Sequence, residues 1–199
     1  MTEPAPPSAQ LPGRQPGGRA PAPGDLRLVQ SFVNTSWDLE HHAEEQLRSP
    51  RGLAAWLAQH GLLEPGTKLT AADLDRALDV RQGLRALLFA HNGVAAEREA
   101  IQRLNRALGR SSLGVRFDAD AVPELGARGR GLDAALGSLA SIIAVAQVEG
   151  TWPRLKACPG VHCGWAFYDH SRNQSGSWCS MSICGSRSKV REYRRRQRR

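Results

Sequence analysis

CPGVHCGWAFYDHSRNQSGSWCSMSIC, residues 158–184, holds all four cysteines of the chain and decides how the rest of it is read. The spacing is Cys158-x4-Cys163, fifteen residues, then Cys179-x4-Cys184. Two close pairs joined by a short insert meet the needs of a tetrahedral four-thiolate zinc site: each tight turn presents two sulfurs, and the insert returns the chain to close the cage. Cys158-Pro159 supplies a rigid approach, Cys163-Gly164 a permissive exit, and Trp165, Phe167 and Tyr168 a strand leaving the knuckle. A module of about 45 residues has too little core to fold alone, and metal binding supplies on the order of 10 kcal/mol. Four thiolates leave no open position, so one structural Zn2+ is expected rather than a catalytic one. A redox dithiol pair is the alternative chemistry, and His162 or His170 is close enough in sequence to replace a cysteine.

Downstream of the cage the charge is concentrated. The chain carries 27 Lys and Arg against 19 Asp and Glu, a net charge of +8. All but one of those charges sits in residues 187–199, where Glu192 is the lone acid. As a helix, this segment places Arg187, Arg191, Arg194, Arg195 and Arg198 on one stripe about 16 Å long, with Lys189 and Arg196 as further cations. Such a stripe fits a phosphate backbone; RNA, an acidic protein, or plain solvation of a basic tail are the other readings. A uniformly basic coat, as in a DNA-compacting protein, is excluded.

Upstream, helix signals recur. Residues 26–33 carry Leu26, Leu28, Val29, Phe32 and Val33 as a compact apolar stretch. Ser49-Pro50 reads as N-cap and N1 of a helix closing at Gly61. Thr70 and Asp73 form a capping box ahead of Leu74, Ala77, Leu78, Leu84, Leu87 and Leu88. A further helix covers 95–108, with Ile101, Leu104 and Leu108 inward. Leu113, Val115 and Phe117 then alternate with Gly114, Arg116 and Asp118, a strand pattern that predicts a small hairpin, while Gly126, Arg128, Gly129, Arg130 and Gly131 read as a flexible turn. Residues 132–148 form an apolar helix expected at the centre of a bundle rather than in a membrane. The predicted fold is mainly α with a small β hairpin: a helical domain over 25–150, then a zinc-finger module over 151–199.

Residues 1–24 hold seven of the twelve prolines and little to bury, and are expected to be a disordered leader. No charged and then apolar targeting segment opens the chain, so a reducing cytoplasm is the expected location and disulfides are not expected.

The segment 154–191 resembles the CGNR zinc finger of bacterial proteins described as candidate stress-induced transcription regulators. The shared pattern runs through Cys158, Cys163, Trp165, Phe167, Asp169, Ser171, Arg172 and Asn173 to Trp178-Cys179, Met181, Cys184-Gly185, Arg187, Lys189 and Val190. The family's Cys-Gly-Asn-Arg is Cys184-Gly185-Ser186-Arg187 in this chain, with serine able to cap a helix start. Residues 28–37, with Phe32-Val33-Asn34-Thr35, are similar to the opening of the helical ABATE domain that accompanies this finger. The resemblance implies a DNA-binding transcription regulator, with Arg187, Lys189, Arg191, Arg194, Arg195 and Arg198 toward nucleic acid. Its helical domain would sense a small-molecule effector or form a homodimer. A zinc-stabilised protein-interaction module without DNA binding is the rival class.

No nucleophile elbow, phosphate loop or dinucleotide fingerprint is present, so no enzyme is expected. His41 and His42 with Glu44 and Glu45 read as a solvated face before a metal site. Asn34 and Thr35 are the polar residues with a ligand-binding reading, set against capping or packing.

Overall fold

The computed structural model describes residues 15–38 and 45–198, and it is mainly helical, as the sequence predicts. The helices are α1 (Leu26–Val33), α2 (Pro50–Gln59), α3 (Ala71–Ala90), α4 (Arg98–Leu108), α5 (Gly131–Val148) and α6 (Ser186–Gln197). Two antiparallel ribbons complete the fold: β1 (Ser112–Phe117) with β2 (Pro123–Arg128), and β3 (Leu155–Ala157) with β4 (Ala166–Tyr168). The caps form as the sequence requires. Ser49 Oγ accepts the Gly52 N–H at 3.1 Å, and Thr70 and Asp73 satisfy each other's backbone N–H groups ahead of α3. Gly126 and Arg128 belong to β2 rather than to a flexible turn, because they pair in register with Gly114 and Ser112.

The main core gathers α1, α3 and α5 around Val29, Phe32, Leu84, Leu88, Leu136 and Leu139. Helices α3 and α4 pack without a gap at Gly83, where a Cβ would lie 2.5 Å from that of Leu104. By length and composition α5 passes as a membrane span, yet Leu132, Ala135, Leu136, Leu139 and Ala146 are buried in this core. It is not enclosed on all sides, as its pattern suggested: Val145 is 43% and Val148 88% exposed. The β1–β2 hairpin leaves Val115 and Phe117 largely exposed beside it.

The expected boundary at residue 150 does not separate two cores. Leu155, Ala157, Ala166 and Tyr168 from the β3–β4 ribbon are buried in the main core, while Phe167, on the other side of β4, packs among the four cysteines. The alternation of a strand makes the ribbon a shared wall. The disordered leader expected over 1–24 is likewise corrected over its described part, 15–24. Arg19 donates to the carbonyls of Trp178 and Cys179 at 3.0 Å each and stands over the Phe167 ring at 5.0 Å, and Ala22 is buried. Low hydrophobicity misled the sequence reading, because this segment is held by charge-assisted hydrogen bonds and cation–π contact rather than by its own core.

Candidate metal centre and nucleic-acid interface

The two knuckles form by local backbone turns. Cys163 N–H donates to Gly160 O and Cys158 N–H to Trp165 O, each at 2.9 Å, and the chain leaves through Gly164 at φ +67°. The second pair sits on a different device. Ser180 Oγ caps a π-helical turn, Met181–Gly185, that carries Cys184 and runs directly into α6. This corrects the capping role expected of Ser186: it lies inside the continuous helix, its hydroxyl donates to Met181 O at 3.1 Å, and the cap is Ser180.

All four sulfurs lie within 4.8 Å of one another, and the four cysteines are buried. The Cys163–Cys179 and Cys179–Cys184 separations are 3.8 and 3.6 Å. A zinc–sulfur bond of about 2.3 Å in tetrahedral geometry gives sulfurs roughly 3.8 Å apart, so the donor set fits that ion. Gly160 keeps the space open, since a Cβ there would stand 3.0 Å from Cys184 Sγ. Without a cation the thiols compete for protons. Donation from Cys163 and Cys179 lowers the Cys158 thiol, while the same shared hydrogen bonds raise Cys163 and Cys179. Burial raises Cys184. A bound dication would let all four ionise together. His162 and His170 stand outside this group; His170 Nε2 lies 3.1–3.2 Å from the carbonyls of Ala20 and Pro21.

The insert between the pairs is organised by Asp169, which is fully buried. It pairs with Lys156 Nζ at 2.8 Å and accepts from Ser171 N–H, Ser171 Oγ and Gly176 N–H. Burial acts to raise its pKa, but these donors outweigh burial and hold it at about 2.

The side chains of Asn34 and Thr35 are engaged within the fold. The Asn34 amide exchanges two hydrogen bonds with the backbone of Ala166, at 2.9 and 2.7 Å, as a neighbouring strand would. Thr35 Oγ1 donates to Phe32 O and accepts from Arg81. Their physical role is to join α1 to β4 and α3. Glu45, read with His41, His42 and Glu44, forms an ion pair with Arg81 at 2.6 Å; the other three lie outside the described residues. A further residue, Arg85, is hidden in the sequence. It is buried on α3 and donates to the carbonyls of Val33, Ser36 and Gly164, so one guanidinium ties α1 to the first knuckle. Burial brings its pKa down to about 10. The available signal was its place on the apolar face of α3, where a cation has no reason to sit unless it is paired.

On α6, Arg187, Arg191, Arg194, Arg195 and Arg198 line one groove with Ile183 and Val190. Lys189 does not join them: it is two residues, or about 200°, around the helix from Arg187. No residue of α6 is buried, so the whole helix stands free of the core.

A helical body sharing its core with a four-cysteine module that carries an exposed basic helix is the architecture of a zinc-finger protein. Family models match both parts: residues 26–150 match ABATE, described as "Putative stress-induced transcription regulator", and residues 154–197 match the CGNR zinc finger. The chain belongs to the ABATE family. No functionally curated protein matches it.

Proposed function

We propose that this protein is a cytoplasmic DNA-binding transcription regulator in which one structural zinc ion anchors α6 and the helix lays its arginines along the phosphate backbone. The observation that carries the reading is the groove of five arginines on a helix with no buried residue. Cys184 lies in the turn that leads into α6, so closing the cage fixes where the helix begins and points. Phosphate contacts of this kind position a protein and leave sequence choice to base contacts. The reading contains no catalytic step. Of the helical half's proposed roles, self-association has a face available in the exposed Val115 and Phe117 of the hairpin.

Titration of the zinc-loaded chain against duplex DNA at several salt concentrations tests this. Five phosphate contacts give a log–log slope near about −4.5. Cutting after Arg187 should abolish retention while leaving zinc content and fold intact. The rival, a docking module for an acidic protein, draws on Ile183 and Val190, which are 42% and 50% exposed in the same groove. It gains if the DNA slope is near zero.

A further inference from the structure

At the base of α6, opening onto the cysteine cage so that Cys163, Cys179 and Cys184 form part of its wall, lies a cavity of about 580 Å³, within the range of small-molecule sites. Three of the chain's five tryptophans line it: Trp37, Trp165 and Trp178. All three are half-buried, and Trp37 and Trp165 meet edge to face with ring centroids 5.6 Å apart. The Trp165 indole N–H is already given to Gln15 Oε1 at 3.1 Å, so this ring offers the cavity apolar surface rather than a donor. Arg187 and Arg191, one helical turn apart, line the same space, and among the described residues Asp38 is the one carboxylate that lines it. Flat aromatic walls next to two guanidiniums match one kind of occupant: a ring of similar flatness bearing a negative group.

We infer that this cavity binds a small planar aromatic carboxylate, its ring among the tryptophans and its carboxylate on Arg187 and Arg191. The site has a built-in consequence. Ile183, Arg187 and Arg191 line both the cavity and the arginine groove. A bound carboxylate therefore occupies two of the five cations assigned to DNA, and ligand and DNA compete. Binding of the carboxylate stands on the cavity alone; only the competition rests on the DNA reading.

Calorimetric titration of the zinc-loaded full chain with 2-naphthoate tests the site, with cyclohexanecarboxylate and 2-naphthylmethylamine as the non-aromatic and cationic controls. One naphthoate per chain is expected, bound at least tenfold more tightly than either control. The Arg187→Gln/Arg191→Gln double variant, on a helix that carries no core residue, should lose at least tenfold with zinc content unchanged. Trp178→Ala should lose a similar factor, and Trp37→Ala takes its place if that variant does not fold. Absence of naphthoate binding, equal binding of the amine, or unchanged affinity in the arginine variant would each overturn the assignment. In the DNA titration, saturating naphthoate should bring the salt slope from about −4.5 to about −2.7, three contacts remaining. A slope unmoved by bound naphthoate would overturn the sharing of arginines. If the chain retains no DNA even without the probe, the DNA reading fails and the calorimetry still decides the site.

Discussion

The molecule contains two antiparallel ribbons of opposite character. The β1–β2 hairpin pairs six residues with six, and much of its apolar surface faces solvent: Val115 is 57% and Phe117 69% exposed. The β3–β4 ribbon pairs only three residues with three, and every one of the six is buried. Strand length and hydrogen-bond count therefore do not rank their importance. The short ribbon matters because it stands between two clusters, giving Ala166 and Tyr168 to the main core and Phe167 to the cysteines. Asn34 and Arg85 reach it or its knuckle from helices distant in sequence.

The largest effect that could break this contrast comes from the metal. Stripping zinc with a chelator, or replacing Cys179 with serine, removes on the order of 10 kcal/mol from the module. Because the ribbon is shared, the helical half should melt in the same transition, seen by far-ultraviolet circular dichroism and limited proteolysis. A helical half that keeps its Tm would show that the two clusters are energetically separate. Next is Arg85→Met, which takes the donor from three backbone carbonyls and should destabilise the chain by about 3 kcal/mol in urea unfolding at unchanged slope. A loss below about 1 kcal/mol would mean that the link from α1 to the knuckle is incidental.

A buried carboxylate is the third probe. The Asp169 carboxyl, ordinarily at 3.8, is held at about 2, so its ionised form stabilises the folded chain. That contribution is complete above about pH 4 and is lost as the pH falls toward 2, of order 2 kcal/mol in all. Acid also protonates the zinc thiolates, so the contribution is read where the metal stays bound: Asp169→Asn in the zinc-loaded chain at pH 7 should lower the Tm by several degrees, and an unchanged Tm would place the stabilisation elsewhere. The smallest effect belongs to the hairpin, where Val115→Thr should shift stability by less than about 0.5 kcal/mol. A loss of about 2 kcal/mol that depends on protein concentration would instead reveal a second copy packed on that face.

What the sequence made visible was local. The Ser49 cap, the Thr70–Asp73 box, the alternation of Leu113, Val115 and Phe117, the cysteine spacing and the arginine stripe each lie within a few turns of chain, where 3.6- and two-residue periods or fixed offsets carry the signal. What it hid was long-range or too short to show a period. Of the short ribbon, β4 shows in Trp165, Phe167 and Tyr168 beside the knuckle, but its three-residue partner β3 gives no countable alternation. Asn34 looks like any helix-end polar residue until Ala166, 132 positions away, is brought against it. Arg81 and Arg85 interrupt an apolar face, and only the fold reveals the acid and the carbonyls that receive them. The segment 15–24 looks unable to order itself because, apart from Gln30, the partners that hold it lie at the far end of the chain.

That last arrangement has a consequence for how the protein is made. Arg19 leaves the ribosome 160 residues before Cys179, whose carbonyl it binds. At roughly 5–20 residues per second that is an interval of roughly 8–30 s during which Arg19 has nothing to grip. Its docking is then among the last events of synthesis, and a nascent chain stalled before Trp178 lacks the two carbonyls that hold Arg19 in the finished molecule.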